Sequence, residues 1–391
     1  MTIETLIELY VERPLENVLG AEMFRPVRVV YICPQNAAQD QALHRTLRSF
    51  FSHRGIKAEL IFYKADIYSA SSILELLRSI TGKYRDCALD ITGGTDAVLF
   101  AAGMLSSENP LPVFTYSRRK NSFYSIKNAP FADSVPCPLS YKVEDFFLMA
   151  GGSVRKGRVD NAILENYLQF FDPFFRVYME NRREWDRIVT YIQRQSPARP
   201  DGTYSLSASG PYSVKGPRSA RIDTPEPALR SLSDIGLISD LEISPERVSF
   251  RFRDAAVRSW LRDVGSVLEL YVYKACLESG LFEDVHTSVV VEWEGSQKEN
   301  SVSNELDVMC SKGVVPLFIS CKTCDVRTEA LNELAILKDR FGGNMAKAAI
   351  VTAERVKTVT RNRAAELGIS IIDLNDLKRD HLQKRLRACI L

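Results

Sequence analysis

Two stretches in the last third of the chain place charged side chains among apolar ones at a spacing of two. Glu305 and Asp307 form one pair, and Ser320 and Lys322 form the other. Residues two apart on a strand point to the same side, so each pair would project together. If the two strands are neighbours, two carboxylates, a hydroxyl and an ammonium meet at one point. Carboxylates bind hard divalent cations, and a metal-bound water beside a lysine can attack a phosphate ester.

An ion-pair ladder on an exposed sheet face is the alternative for these four side chains. The surrounding residues oppose that alternative, because Leu306, Val308, Phe318 and Ile319 are apolar and a set of charges on a buried strand requires a reason.

Two further carboxylates lie in apolar helical stretches from which they would reach the same point. They are Glu269 and Glu333. For each one alone, a place on the polar stripe of its helix is the alternative.

Residues 90–96 combine two glycines with two threonines at the predicted junction of a strand and a helix. The N–H groups of a helix N-terminus attract phosphate, and glycine lets a ligand approach the backbone. The turn matches neither the Walker A pattern nor Gly-x-Gly-x-x-Gly, and a simple connecting turn is the alternative. The loops at 12–17 and 34–36 should emerge at the same edge of the sheet, where doubly wound folds bind ligands.

Alternating strands and helices in the first 126 residues predict a parallel, doubly wound sheet. Strands are expected at 6–11, 27–33, 58–63 and 87–91, with a closing hairpin over 113–126. The helices between them are expected at 14–19, 39–53, 72–80 and 96–105.

The last third of the chain predicts a second, compact α/β unit. The expected order is helix 265–279, strands 285–292, 305–310 and 316–321, helix 328–341, strand 347–352, helix 356–367 and strand 370–373. Between the two units, helices at 161–178, 183–195 and 227–235 and a hairpin of strands 238–243 and 248–252 are typical of a winged helix. The chain is therefore divided into domains at 1–150, 151–262 and 263–391.

The stretch from Arg182 to Arg221 carries more basic than acidic residues. The basic positions are 182, 183, 187, 194, 199, 215, 218 and 221, and the acidic ones are 184, 186 and 201. This excess is a candidate phosphate-contacting surface, and a solvated loop is the alternative. Over the whole chain 51 Lys and Arg face 49 Asp and Glu, so any surface for a polyanion must be local.

The composition predicts a soluble, cytoplasmic protein of two or three domains. A hydrophobic share of 45% and a charged share of 26% over 391 residues are ordinary for a globular protein. The first residues lack the pattern of a signal peptide, and no stretch is long and apolar enough for a membrane span. The eight cysteines mostly lie in apolar runs, which favours reduced thiols.

Two sets of residues resemble known families. Asp307 followed by Ser320-Cys321-Lys322 on the next strand resembles the PD-(D/E)xK nuclease superfamily, whose element order residues 265–373 also follow. The opening at 14–17 and the turn at 90–95 are similar to CARF domains, which bind cyclic oligoadenylates. Together they resemble the type III CRISPR ancillary effectors in which one CARF domain is fused to one nuclease domain.

The resemblance implies an α/β protein with a doubly wound CARF (Rossmann-like) domain, a winged-helix-like middle segment and a C-terminal restriction-endonuclease-like domain. It further implies a homodimer whose CARF pair binds one cyclic tetra-adenylate. Binding would activate an Mg²⁺- or Mn²⁺-dependent endonuclease that nicks DNA and cuts single-stranded DNA or RNA in antiviral defence. No membrane partner is expected.

By position, the resemblance makes Asp307 the acidic metal ligand and Lys322 the lysine of the motif. Ser320 stands where the family has Asp or Glu, so this chain departs from the pattern. The other residues implied at the metal are Glu305, Glu269 and the backbone carbonyl of Cys321. The residues implied in messenger binding are Pro14, Asn17, Gln35, Asn36, Thr92, Gly93, Gly94, Thr95 and Asp96.

Ser320 and the basic stretch favour a second hypothesis, a messenger-controlled regulator that binds nucleic acid through its middle segment and carries an inactive nuclease fold. The retained Asp307 and Lys322 oppose it. A third hypothesis is that the N-terminal domain degrades its own messenger.

Overall fold

The computed structural model describes residues 3–155, 161–197, 204–294 and 302–390. Three modules follow one another along the chain, and they are called the N-terminal, middle and C-terminal modules below. The mixed α/β class predicted from the sequence is confirmed.

Short β-branched runs build the sheet of the N-terminal module. Its strands are β1 Thr5–Leu9, β2 Arg28–Cys33, β3 Glu59–Lys64, β4 Cys87–Asp90, β5 Val113–Ser117, β6 Ser122–Lys127 and β7 Ser134–Pro136. They lie in the order β3-β2-β1-β4-β5-β6-β7. The first five are parallel and β6 and β7 are antiparallel to their neighbours. The predicted doubly wound sheet is therefore present, with β7 as an additional edge strand.

Helices cover this sheet. They are α1 Leu19–Phe24, α2 Gln35–Gln39, α3 Gln41–His53, α4 Ala70–Lys83, α5 Asp96–Glu108 and α6 Val143–Met149, and a short strand β8 Ser153–Arg155 follows them. α3 begins after Asp40 because that carboxylate accepts hydrogen bonds from the N–H groups of Ala42 (2.8 Å) and Leu43 (3.1 Å). Its buried face carries Leu47 and Phe50.

The loop after β1 starts earlier than the apolar run predicts. The strand ends at Leu9, and the N–H of Val11 donates to Oδ1 of Asn17 (3.0 Å) instead of joining the sheet. Pro14–Asn17 forms one 3-10 turn, and the helix predicted from Pro14 begins only at Leu19.

The middle module joins helices to a small sheet. Its elements are α7 Asn161–Leu164, α8 Leu168–Glu180, α9 Trp185–Gln195, β9 Ser207–Pro211, β10 Ser213–Lys215, β11 Arg221–Asp223, α10 Glu226–Asp234, β12 Ile238–Ile243, β13 Arg247–Phe252 and α11 Ala255–Leu261. The predicted hairpin is β12 and β13, and β9 pairs with β13 as a third strand. The sequence of β9 is rich in Ser and Gly and lacks the alternation of apolar residues by which a strand is predicted. Arg199 of the basic stretch lies outside the described residues.

The C-terminal module follows the predicted order closely. Its elements are α12 Ser266–Glu278, β14 Asp284–Glu292, β15 Ser303–Lys312, β16 Val315–Lys322, α13 Thr328–Gly342, β17 Lys347–Thr352, α14 Thr358–Glu366, β18 Ile369–Ile372 and α15 Arg379–Ile390. The sheet order is β18-β17-β16-β15-β14-β8, so residues 153–155 complete it at one edge. The domain boundaries set at 150 and 262 remain a prediction.

The modules share apolar cores. Phe147 of α6 packs against Phe341 of α13, with 5.0 Å between ring centroids. Phe175 of α8 stacks on Tyr271 of α12 at 3.7 Å. The C-terminal sheet is thus held on one face by the N-terminal module and on the other by the middle module. No helix within the described residues is long and apolar enough to cross a membrane.

Candidate active site

The structure brings three of the four predicted side chains together, those of Asp307, Ser320 and Lys322. β15 and β16 are antiparallel neighbours, with Val308 opposite Ile319. Oδ2 of Asp307 accepts hydrogen bonds from Oγ of Ser320 (3.1 Å) and from the N–H of Cys321 (2.6 Å). Nζ of Lys322 lies 3.7 Å from the same oxygen. Carboxylate, hydroxyl and ammonium therefore meet at one point, as their spacing predicts.

Asp307 is held in a mostly buried position. Burial raises the pKa of its carboxyl, while Lys322 and the two hydrogen bonds act in the opposite direction. Its other oxygen, Oδ1, accepts no hydrogen bond from the described residues, so one carboxylate oxygen is left for a further ligand. Of the ion-pair ladder considered as the alternative, the structure shows one close contact, between Asp307 and Lys322.

Glu269 projects from the first turn of α12 toward this cluster. Burial first, and then the negative charges of Asp307, Asp263 and Glu305, raise the pKa of Glu269 to about 8. Carboxyl groups that repel one another in this way gain from a cation placed among them. Glu305 is exposed on β15. Asp263 is the member that the sequence analysis missed, because it precedes the helix and carries no periodic signal.

Glu333, the other helical candidate, is directed elsewhere. Its Oε1 accepts a hydrogen bond from Nδ2 of Asn304 (2.8 Å) at the start of β15. The structure thus places Glu269, and not Glu333, beside Asp307.

The predicted metal-binding atoms are of the type that hard divalent cations prefer. Every predicted donor is an oxygen, the atom that Mg²⁺ and Mn²⁺ prefer in proteins. No group of three or more His, Cys, Asp or Glu side chains in the described parts of the chain is already gathered for a metal. Asp307 and the Cys321 carbonyl would hold such an ion, and Glu269 or Glu305 would complete the set.

The glycine turn lies where the sequence analysis placed it, between β4 and α5. A Cβ on Gly93 would lie 2.3 Å from the carbonyl oxygen of Leu9, and Gly94 has a φ of +96°. Both glycines are therefore required by the packing of the turn on β1. Packing alone therefore explains why both residues are glycine, as expected if the turn only connects β4 and α5.

The two threonines of the turn are engaged by the protein. Oγ1 of Thr92 bonds to the Asp90 carboxylate and accepts from the N–H of Tyr116 (2.8 Å). Oγ1 of Thr95 donates to the carbonyl of Ile67 (2.7 Å) and does not cap α5. The first N–H groups of α5 consequently have no side-chain cap, which leaves them available to an anion.

The other predicted messenger residues divide into two groups. Asn17 is buried, and its amide bonds the loop at Val11 (2.7 Å) and Arg13 (3.2 Å), so it shapes this loop from within. Exposed residues in the set are Gln35, Asn36 and Asp96. Pro14, Asn17 and Asn36 line a groove of about 920 Å³ that extends to the C-terminal module.

A pair of buried acids beneath the turn was missed. Glu8 and Asp90 are directly opposite on β1 and β4, and both are almost fully buried. One oxygen of each, Oε1 of Glu8 and Oδ2 of Asp90, has no hydrogen-bond partner, and both face Gly20. Burial raises the pKa of Asp90 to about 7, and burial together with Asp90 raises the pKa of Glu8. An apolar strand pattern gives no signal for such a pair.

A polar junction between modules was also missed. Glu16, in the loop after β1, forms ion pairs with Arg13 and Arg118. Asn344, which follows α13, faces the same two guanidinium groups. With its amide oxygen turned toward them, it accepts from Nε of Arg13 at 3.0 Å and from Nη1 of Arg118 at 2.9 Å. The carboxyl edge of the N-terminal sheet is thereby connected to a helix that packs on β16.

Comparison with known proteins gives one sequence family and several similar folds. Residues 257–389 match the family described as the Card1-like endonuclease domain. No curated protein sequence matches the chain.

Two solved structures resemble the whole chain. Protein VC1899 from Vibrio cholerae is 17% identical with a TM-score of 0.75, over 98% of each chain. Can2 from Sulfobacillus thermosulfidooxidans, determined in complex with cyclic tetra-adenylate, is 16% identical with a TM-score of 0.71, over 99% of this chain and 97% of that one. These findings confirm the resemblance to CARF–nuclease effectors: residues 257–389 match the Card1-like endonuclease domain, and the fold of the whole chain is similar to that of Can2.

Proposed function

We propose that the protein is a cyclic-oligoadenylate-activated, metal-dependent endonuclease of type III CRISPR defence. The observation that carries the proposal is the contact of Asp307 with Lys322 at 3.7 Å, inside a domain that matches a Card1-like endonuclease. DNA is the proposed substrate, cut by nicking, and single-stranded DNA or RNA is a further one.

Each side chain has a distinct task in the proposed hydrolysis. Asp307 and the carbonyl of Cys321 would hold the cation, and Lys322 would neutralise charge that develops on the phosphate. A bound Mg²⁺ or Mn²⁺ supplies Lewis acidity and lowers the pKa of a water ligand. Ser320 donates to Asp307 and so orients the carboxylate. Glu269 would contribute a further carboxyl; burial and then the neighbouring carboxylates raise its pKa, and a bound cation would favour its ionised form.

The proposed activator is a cyclic tetra-adenylate bound by a homodimer of the chain at the carboxyl edge of the N-terminal sheet. Supporting this choice are the uncapped N-terminus of α5 and the groove beside Asn36. The solved Can2 structure contains the same ligand, although at 16% identity it shows the fold alone. Activation requires that the messenger bind the active arrangement more tightly than the inactive one.

Cleavage of supercoiled plasmid by the full chain tests the proposal. With Mg²⁺ or Mn²⁺ and cyclic tetra-adenylate, nicked circles should accumulate, and they should not accumulate without the messenger or in EDTA. Asp307→Ala and Lys322→Ala should each lower the rate by about a hundredfold or more. Asp339→Ala is the matched control, since this exposed carboxylate on α13 lies outside the cluster.

Rates that survive both Asp307→Ala and Lys322→Ala would remove the site assignment. Retention of DNA without metal and without cleavage would select the regulator that Ser320 favours. Chromatography of the incubated messenger tests whether the N-terminal module degrades it.

A further inference from the structure

A cleft of about 630 Å³ lies between the N-terminal and C-terminal modules, away from the proposed active site. One wall is the tip of the β5–β6 hairpin, and the other is formed by the β15–β16 turn and the start of β17. We propose that this cleft binds a multiply phosphorylated nucleotide, held by basic side chains from both modules.

The charge of the cleft is strongly one-sided. Arg118, Arg119 and Lys120 come from the hairpin tip, and Lys312 and Lys347 come from the C-terminal sheet. Among the described residues, Glu283 is the single carboxylate in the lining. Five cations and one anion in one cavity create a positive potential that attracts a polyanion.

The single carboxylate does not neutralise these cations. Oε2 of Glu283 accepts a hydrogen bond from the Ser140 hydroxyl and another from the N–H of Gly313 (3.1 Å). Arg118 is paired with Glu16. Arg119, Lys120, Lys312 and Lys347 form no ion pair with the described residues, so four cations repel one another across the cleft.

This cleft is separate from the Asp307 cluster. Val315, at the first position of β16, lines the cleft, whereas Lys322 at the last position carries the proposed chemistry. Seven residue steps of about 3.3 Å place the two ends of this strand roughly 23 Å apart. A ligand in the cleft is therefore not the phosphate being cleaved.

The size and the distribution of charge indicate the class of ligand. Small-molecule sites measure about 300–1,000 Å³, and four unpaired cations match the charge of a chain of phosphates. Two sources share this chemistry, a nucleoside polyphosphate and a short linear oligonucleotide. Either would lie between Lys120 and Lys347, relieve their repulsion and hold the hairpin tip against the C-terminal module.

Isothermal titration calorimetry on the full chain in EDTA tests the site without any nuclease reaction. Three probes distinguish the sources: inorganic triphosphate, ATP and a 5′-phosphorylated trinucleotide. The expected result is one saturable site per chain, with affinity falling as salt rises from about 50 to 200 mM. Tighter binding of ATP than of the trinucleotide assigns a nucleoside polyphosphate, and the reverse assigns an oligonucleotide.

Lys120→Gln and Lys347→Gln, one from each wall, should each weaken binding by about tenfold. Lys57→Gln is the control, because it removes the same charge from an exposed position before β3, outside the cleft. Unliganded thermal melting of every variant checks folding, and if one variant unfolds, the other still decides. Absence of saturable binding by all three probes would overturn the site. So would an equal loss in Lys57→Gln. The nuclease proposal is untouched by either result, since no cleavage is measured.

Discussion

Replacing Asp90 by Asn should stabilise the N-terminal module, and the gain should grow as the pH rises. Asp90 is 1% exposed, and its carboxyl faces Glu8 with one oxygen unpartnered. The amide oxygen that the substitution introduces can still accept the N–H of Thr92, which lies 2.8 Å from Oδ1 of Asp90 in the parent. The new amide nitrogen replaces the unpartnered oxygen and can donate toward Glu8. The substitution therefore keeps the existing contacts and removes a charge.

The magnitude follows from the pKa of Asp90. Burial raises it from 3.8 to about 7, which corresponds to about 4 kcal/mol tighter proton binding in the folded state. Between these two values the folded chain keeps the proton that the unfolded chain releases, so the free energy of unfolding falls as pH rises. From pH 5 to pH 7 this group alone should cost the parent protein about 2 kcal/mol. Asp90→Asn should lack that part of the slope, while Glu8 keeps the part of its contribution that burial causes.

Urea unfolding at pH 5, 6, 7 and 8 measures this difference. Pulsed hydrogen exchange with mass spectrometry, read in peptides of β1 and β4, isolates the transition of this module from those of the other two. Asp86→Asn is the control, since it makes the same change in an exposed carboxylate before β4. Parallel pH profiles for the parent and Asp90→Asn would refute the argument from burial.

Substitutions at three other positions address the two proposed sites and their connection. Ser320→Ala removes a hydrogen bond to Asp307 and should lower kcat/KM for plasmid nicking about tenfold. Ser320→Asp adds a carboxylate beside the proposed cation and should reduce the Mn²⁺ concentration needed; a Ser320→Asp protein without activity would contradict the proposed location of the cation. Gly93→Ala places a Cβ 2.3 Å from the Leu9 carbonyl, so the free energy of unfolding from thermal melting should fall by about 1–3 kcal/mol. Calorimetry should show weaker messenger binding. An unchanged melting temperature would contradict the packing argument. Asn344→Leu takes an acceptor from two guanidinium groups and should raise the messenger concentration for half-maximal cleavage about tenfold; an unchanged dose response would mean that the junction does not transmit activation.

Periodicity located most elements because their burial is regular. The strands of both large sheets carry β-branched runs, and alternation at Glu305 and Asp307 was sufficient to place two charges on one side of β15. The same rule placed Ser320 and Lys322 on the facing side of β16. The convergence of Asp307 and Lys322 was therefore predictable before the strands were seen.

The features that could not be predicted from the sequence depend on contacts between residues that are distant along the chain. β9 is a strand because β13 offers it hydrogen bonds, although its own residues are small and polar. In the sequence, Glu8 is one polar residue within an apolar strand. Its position opposite Asp90 follows only from the pairing of β1 with β4. Messenger binding by Asn17 stays a prediction, and its bonding to the loop after β1 is a second role that its position in the sequence did not indicate. Such assignments require the packed chain.

A fragment that begins at residue 257 would contain the whole matched domain and still have an unfinished sheet. β8 supplies the edge beside β14, and Arg155 binds the buried carboxylate of Glu292 with Nε at 2.9 Å. Excision would leave the edge of β14 unpaired and the Glu292 carboxylate without the Arg155 guanidinium. An unpaired strand edge favours self-association. Recombination that exchanges the N-terminal module must therefore keep residues 153–155 with the C-terminal module.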